Sequence, residues 1–487
     1  MALTLLFWAA RSEYAFLGDN WLRLEQAVRG ERLPYEWGSM VLAHRALLLG
    51  ERFGGLEPRS ALALLNTAAG FVFCAAAAVL ARRLGPNDLH RGLVHLALLG
   101  MGGVQLFCGY VEVYSWAFAA VTGAVAATLA VPRGASAAPA LLLFVLAGAL
   151  HVIALLFALP LLLLLVSGRS GRIRVSPRAV AVGGLLLAAG AAAAPLVLPK
   201  LLHGYTAATG ALTLLHPALW WERLNGLALA SPLGLLTGIP LLLATGAAAR
   251  EGATDHLILA AAAWPALLGL LPMKMVLGAA DWDIIAFCAF PLVLLASAQI
   301  GKRISADSFA FLVFLSLCNA WGFVAVNAGE ASVARIRDIV TGDPAPYYRS
   351  HPAPMHLAFL YASNGLPEER LRALKEGADL YPDDERMPYN LAVGYFERGE
   401  LEEAERWAEK ARATRRGYFP PIYLLYAIAE RTGNADRQRI LGRSILQAHG
   451  TDPATVQRFL PPERIEAVRR AVARLEDPPQ RPDRDGP

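Results

Sequence analysis

Four carboxylates stand at the ends of apolar stretches in this chain: Asp19, Glu112, Asp281 and Asp283. An acid where a membrane helix leaves the bilayer can stay ionised in interfacial water, and a polar, partly enclosed cavity can tune its pKa towards base chemistry. Asp19 lies in Phe16-Leu17-Gly18-Asp19-Asn20-Trp21, where the competing reading is a helix cap leading into Trp21-Leu22-Arg23-Leu24-Glu25. Glu112 sits in the run Gly109-Tyr110-Val111-Glu112-Val113-Tyr114. An unpaired carboxylate there costs several kcal/mol unless it reaches interfacial water. Asp281-Trp282-Asp283 sets two carboxylates two residues apart beside an apolar segment. Such a pair could hold a divalent cation (Mg or Mn) or bind sugar hydroxyls, against the alternative of a solvated loop. His151 is either a hydrogen-bonded packing residue or a site residue. Lys274 and Arg45 could neutralise a phosphate, or anchor to lipid headgroups as basic residues at membrane edges commonly do.

The elements that must position these groups are apolar. The chain has 487 residues, 55% hydrophobic and only 17% charged, where a soluble domain carries roughly 25% charged residues. Charge is sparse between about residues 60 and 326 and dense after about 345, the pattern of a polytopic membrane protein with a soluble C-terminal domain. Residues 11–59 read as a long polar loop with two amphipathic pieces, about 21–29 and 38–52, able to lie on a membrane surface. Apolar segments follow at roughly 60–81, 92–108, 113–131, 138–150, 151–167, 179–198, 230–248, 257–273, 284–300 and 308–326. The stretch Met1–Ala10 has no basic n-region or cleavage site and is short for a span, which reads as a truncated start or a first helix only half present.

Two kinds of loop alternate between the segments. Short basic ones (Arg82-Arg83 with Arg91, Arg133, Arg169 to Arg178, Arg250, Lys302-Arg303) contrast with others holding acids, histidines and aromatics. The positive-inside rule puts the basic set in the cytoplasm and the acidic set outside, together with the C-terminal domain. Net charge is +5, but loops of this kind report topology and not nucleic-acid binding. Cys74, Cys108, Cys288 and Cys318 fall in or beside apolar segments and read as buried thiols, without a disulfide framework.

The tail repeats itself. Gly365, Gly399 and Gly433 are 34 residues apart, as are Leu357, Leu391 and Leu425. The unit from Tyr389 to Ala411 resembles a tetratricopeptide repeat, a helical hairpin with small residues at fixed offsets. Domains are therefore expected at 1–326 (membrane), 327–349 (linker), 350–470 (helical repeats) and 471–487, a disordered end rich in Pro, Asp and Arg.

The membrane part, residues 1 to about 326, resembles the GT-C glycosyltransferases, polytopic enzymes that use polyprenyl-phosphate-linked sugars. The resemblance rests on Gly18-Asp19-Asn20 after the first helix, the long first external loop and about eleven spans. It extends to Gly109-Tyr110-Val111-Glu112-Val113-Tyr114, the His151 helix, His216-Pro217 to Asn225 with Ser231-Pro232, and Ala280-Asp281-Trp282-Asp283, which look like a bacterial branch. It implies an all-α fold, a multi-pass place in a bacterial-type plasma membrane and transfer with inversion on the extracytoplasmic face.

The family's first-loop acid, its catalytic carboxylate, maps onto Asp19; the common form has a second acid next to it, where this chain has Asn20. Tyr110, Glu112, His151, Lys274, Arg45, Asp281 and Asp283 are then expected to bind substrate, the last two of the acids also a metal. The implied partners are the bilayer, a polyprenyl-phosphate sugar donor and a protein, lipid or glycan acceptor. The repeats add a possible protein partner, and a repeat tail on such a core is similar to membrane O-mannosyltransferases. A transporter, a non-catalytic assembly factor and a surface-polysaccharide polymerase or ligase stay open as alternatives.

Overall fold

A computed structural model describes residues 2–14, 20–111, 113–158, 217–250, 254–270, 282–342, 353–415 and 417–476. The chain divides into two compact units, one holding the residues up to Asp338 and the other those from Tyr348 on. Among the described residues the structure is mostly helical and has no β-strand.

The first unit opens with α1 (Ala2–Ala9), α2 (Asn20–Val28), α3 (Trp37–Gly54), α4 (Pro58–Leu84), α5 (Asp88–Leu99), α6 (Tyr114–Thr128) and α7 (Ala138–Leu150). Its longest helix, α4, starts with Pro58 in the first turn, where a missing N–H costs nothing, and ends on Arg82 and Arg83, which suit the negative helix end. At 1.5 Å per residue its 27 residues reach about 40 Å, beyond the roughly 30 Å of a bilayer core. One face buries Asn66, Gly70, Phe73, Ala77 and Leu80, while Leu64, Phe71 and Val72 on another are exposed yet apolar. A helix apolar on both faces is built for lipid.

Tyr114–Arg133 and Ala306–Val326 are also long and apolar enough to cross a membrane, and these helices give the unit its membrane-protein character. A fourth candidate is a pair, Arg223–Ala230 and Gly234–Leu243, bent by 112°. The bend falls at Ser231-Pro232, where Pro interrupts the hydrogen-bond ladder and Ser231 Oγ accepts the Gly234 N–H at 2.9 Å. α6 is the most enclosed of these helices: Phe118 packs its ring 5.7 Å from Phe73, 4.9 Å from Phe287 and 5.3 Å from Phe290. Arg133, just past α6, makes two hydrogen bonds to Asp255, at 3.1 and 2.6 Å, and so ties that end to the helix Thr254–Leu270.

Three sequence readings change. Residues 92–108 do not form one helix: α5 stops at Leu99 and a 3₁₀ turn follows at Gly102–Phe107. A side chain at Gly102 would lie 2.8 Å from the Leu229 carbonyl oxygen, so the break is where another backbone passes close by. The stretch expected as a linker contains a helix, Gly329–Gly342, because Val333, Ile336 and Val340 recur at helical spacing. Of the cysteines, Cys108 and Cys288 are buried thiols, but Cys74 is half-buried and Cys318 exposed, the latter on the apolar helix Ala306–Val326. The segment 179–198 and residues 159–167 lie outside the described residues.

The second unit consists of successive helical hairpins: Ala353–Ser363 with Pro367–Leu380, Arg386–Glu397 with Leu401–Thr414, and Pro420–Thr432 with Ala435–Thr451, followed by Pro453–Gln457 and Pro462–Glu476. Gly365, Gly399 and Gly433 stand between the two helices of their hairpins with φ of +69°, +79° and +70°, the left-handed turn that favours glycine. Ion pairs recur between hairpins: Arg370–Glu397 and Arg398–Glu368 at 2.6 Å and the half-buried Arg437–Glu409 at 2.8 Å, while Arg415–Glu385, at 2.7 Å, joins the two ends of one hairpin.

Candidate functional site

The polar groups of the first unit meet on the segment 109–113, between the 3₁₀ turn and α6. Gly109 has φ +63°, and a Cβ there would lie 2.6 Å from Arg11 Cβ, so only glycine fits both the turn and the space. The turn delivers Tyr110 into the interior, where it is fully buried with its hydroxyl 3.5 Å from Asp283 Oδ2, a long contact for a hydrogen bond. Asp283 is 4% exposed and lies in the first turn of the helix Trp282–Ser297, where the helix dipole favours a carboxylate. Its Oδ1 accepts the Ile284 N–H at 2.8 Å.

A second polar group lies on the other side of this segment. Arg23 of α2 and Glu36, the residue before α3, form an ion pair at 2.8 Å with Glu36 fully buried; Arg23 also donates to Gln26 Oε1 at 3.0 Å. Arg23, Ser39 and Asn66 line a narrow cleft whose other walls are apolar and include Val111 and Val113. Asn66 also donates its amide to the Tyr110 carbonyl and thereby joins the two groups.

His151 is nearby in the fold, at the junction of α7 and a 3₁₀ turn, Val152–Phe157. The next peptide N–H, of Val152, donates to the Tyr35 carbonyl at 2.8 Å, and the His151 ring packs 4.5 Å from that of Tyr114. Its Nδ1 accepts the Ile153 N–H at 3.1 Å, so a neutral ring carries its proton on Nε2. That nitrogen is buried with no hydrogen-bond partner among the described residues. His151 thus serves as a cap, the bland role, while keeping one donor in reserve.

Of the residues singled out by sequence, the structure brings Tyr110 and Asp283 into contact. Arg45 is exposed on α3, whose buried side is Ser39, Met40, Ala43 and Leu47, and it does not line the cleft. Asp19, Glu112, Lys274 and Asp281 lie outside the described residues. Among the described residues no group of three or more His, Cys, Asp or Glu side chains could hold a metal ion.

Sequence reasoning missed Arg23, Glu36, Ser39 and Asn66. Arg23 and Glu36 both fall in residues 11–59, a stretch that reads as a polar loop with amphipathic pieces. The one cue was Arg23 and Ala27, a helical turn apart on the buried side of α2. No family model, curated protein or solved structure matches the chain.

Proposed function

We propose that the chain is an integral membrane glycosyltransferase that moves a sugar from a polyprenyl-phosphate donor to an extracytoplasmic acceptor with inversion. One observation supports this above others. Buried polar groups converge inside an apolar helical unit, Arg23 with Glu36, Asn66 with Tyr110 and Tyr110 with Asp283, and in the sequence Asp19 directly precedes α2 and Glu112 follows Val111. Such groups are costly within a membrane and are kept there for function.

In this reading Asp19 accepts the proton of an acceptor hydroxyl while that oxygen attacks the anomeric carbon from the face opposite the leaving group. The C–O bond to phosphate breaks and polyprenyl phosphate departs with the electron pair. Lys274 or Arg45 balances its charge, so one base suffices without a second acid. Asp283 orients Tyr110 towards substrate, and Glu112 and His151 bind sugar or acceptor hydroxyls. Asp281 and Asp283 would hold a divalent cation, which would polarise phosphate. The hairpins of the tail, read as tetratricopeptide repeats, would hold a protein partner or acceptor.

The test is a donor screen on purified protein with polyprenyl-phosphate hexoses and pentoses, then Asp19→Asn. The substitution keeps size and capping ability but removes the base, so transfer should fall by roughly 10²–10⁴ while the protein still inserts and folds. Normal turnover in Asp19→Asn would remove Asp19 from the mechanism and leave it as a cap.

A further inference from the structure

The cleft between α2, α3, α4 and residues 111–116 has a composition that restricts what enters it. Among the described residues its one positive group, Arg23, is paired with buried Glu36 at 2.8 Å. A phosphate or ammonium in the cleft would add an unbalanced charge to apolar surroundings, which burial penalises strongly. A buried ion pair of this kind recovers little net stability compared with an apolar pair, so stability alone does not account for its place in a cleft wall.

Ser39 supplies the second observation. It is 5% exposed and lines the cleft, and its Oγ has no hydrogen-bond partner among the described residues. A hydroxyl both donates and accepts, so its natural complement is another hydroxyl. Apart from Asn66, which gives its amide to the Tyr110 carbonyl, the rest of the wall offers carbon: Leu42, Leu65, Val111, Val113 and Trp116, whose indole N–H is already given to the Leu65 carbonyl at 3.1 Å. Free volume is about 20 Å³, enough for a water or a single hydroxyl-bearing carbon but not for a sugar ring.

We infer that this cleft is a binding site for the hydroxymethyl end of an uncharged, hydroxylated head carried on an apolar stem. That chemistry belongs to two sources, a neutral glyceride and a glycoside whose hydroxymethyl arm enters while its ring stays outside. The site goes beyond the glycosyl-transfer reading and does not need Asp19 as a base.

The experiment is saturation-transfer NMR on the full chain in lipid nanodiscs, with 1-butanoylglycerol, methyl glucopyranoside and butyl phosphate as separate probes. One or both hydroxylated probes should receive saturation most strongly at their hydroxymethyl protons, and butyl phosphate should not displace them. Whichever of the two binds more tightly names the source. Ser39→Ala should weaken binding about 3–10-fold, the scale of one hydrogen bond. Its melting temperature should not change, because no described residue bonds that hydroxyl. Repeating the titration with Asp19→Asn separates the proposals, since binding should persist there even with transfer abolished. Failure of both hydroxylated probes to bind, displacement by butyl phosphate, or full affinity in Ser39→Ala would each overturn the assignment.

Discussion

The two units hold themselves together by opposite means. In the tail, one arrangement is used repeatedly: a helix, a glycine turn, a second helix, and exposed Arg–Glu pairs to the next hairpin. In the membrane unit the polar contacts around Tyr110 each occur once and are buried: Arg23 with Glu36, Asn66 with Tyr110, Tyr110 with Asp283. A repeated exposed contact is individually weak and replaceable. A single buried one leaves an unmatched polar group when it is broken. The tail should therefore degrade gradually under substitution and the membrane unit abruptly.

The sharpest way to break that contrast is Glu36→Leu. It leaves the Arg23 charge without its buried counterion and should cost about 3–5 kcal/mol, read as a large fall in melting temperature of the nanodisc-embedded protein. The pair Arg23→Met with Glu36→Leu should recover most of the loss. No recovery would mean that the ion pair matters through shape and not through charge balance.

A smaller effect is expected from glycine replacement. Gly102→Ala puts a methyl 2.8 Å from the Leu229 carbonyl oxygen and should cost about 1–3 kcal/mol through overpacking. Gly399→Ala in the tail meets nothing within 4 Å and suffers only the left-handed backbone, about 1 kcal/mol. Equal losses at the two sites would erase the distinction between packing and turn geometry.

The smallest effect should be Arg398→Gln, which removes exposed pairs to Glu368 and Glu400. A barely measurable loss of stability is expected, vanishing in 1 M salt. A fragment of residues 350–470, expected to give a helical circular dichroism spectrum, is a convenient background for this measurement. A loss that persisted in high salt would show these pairs to be specific locks like those of the membrane unit.

The same contrast explains what could be read from the sequence. Repetition is visible in one chain, so the glycines at 365, 399 and 433 announced the hairpins, and apolar runs announced most membrane helices. Tyr110, Asp283 and His151 stood out because polar groups are rare in such runs. Their partners did not: nothing local marks Asn66 as the residue that holds the Tyr110 carbonyl, or Glu36 as the counterion of Arg23. The break after Leu99 was equally hidden, since an apolar count over 92–108 does not register that another backbone passes Gly102.

Asn66 has a role that follows from its double position. Its side chain lines the cleft, and its amide nitrogen holds the carbonyl of the residue whose hydroxyl faces Asp283. A guest that turns the Asn66 amide to reach it loosens its hold on the Tyr110 carbonyl, and a guest at Asp283 that shifts Tyr110 pulls on Asn66 in turn. The affinities of the two places are therefore linked, and linkage runs equally in both directions. Whatever fills the cleft sets how firmly Tyr110 is held against the carboxylate, so a contact of one side chain acts as a governor on a group buried beyond it.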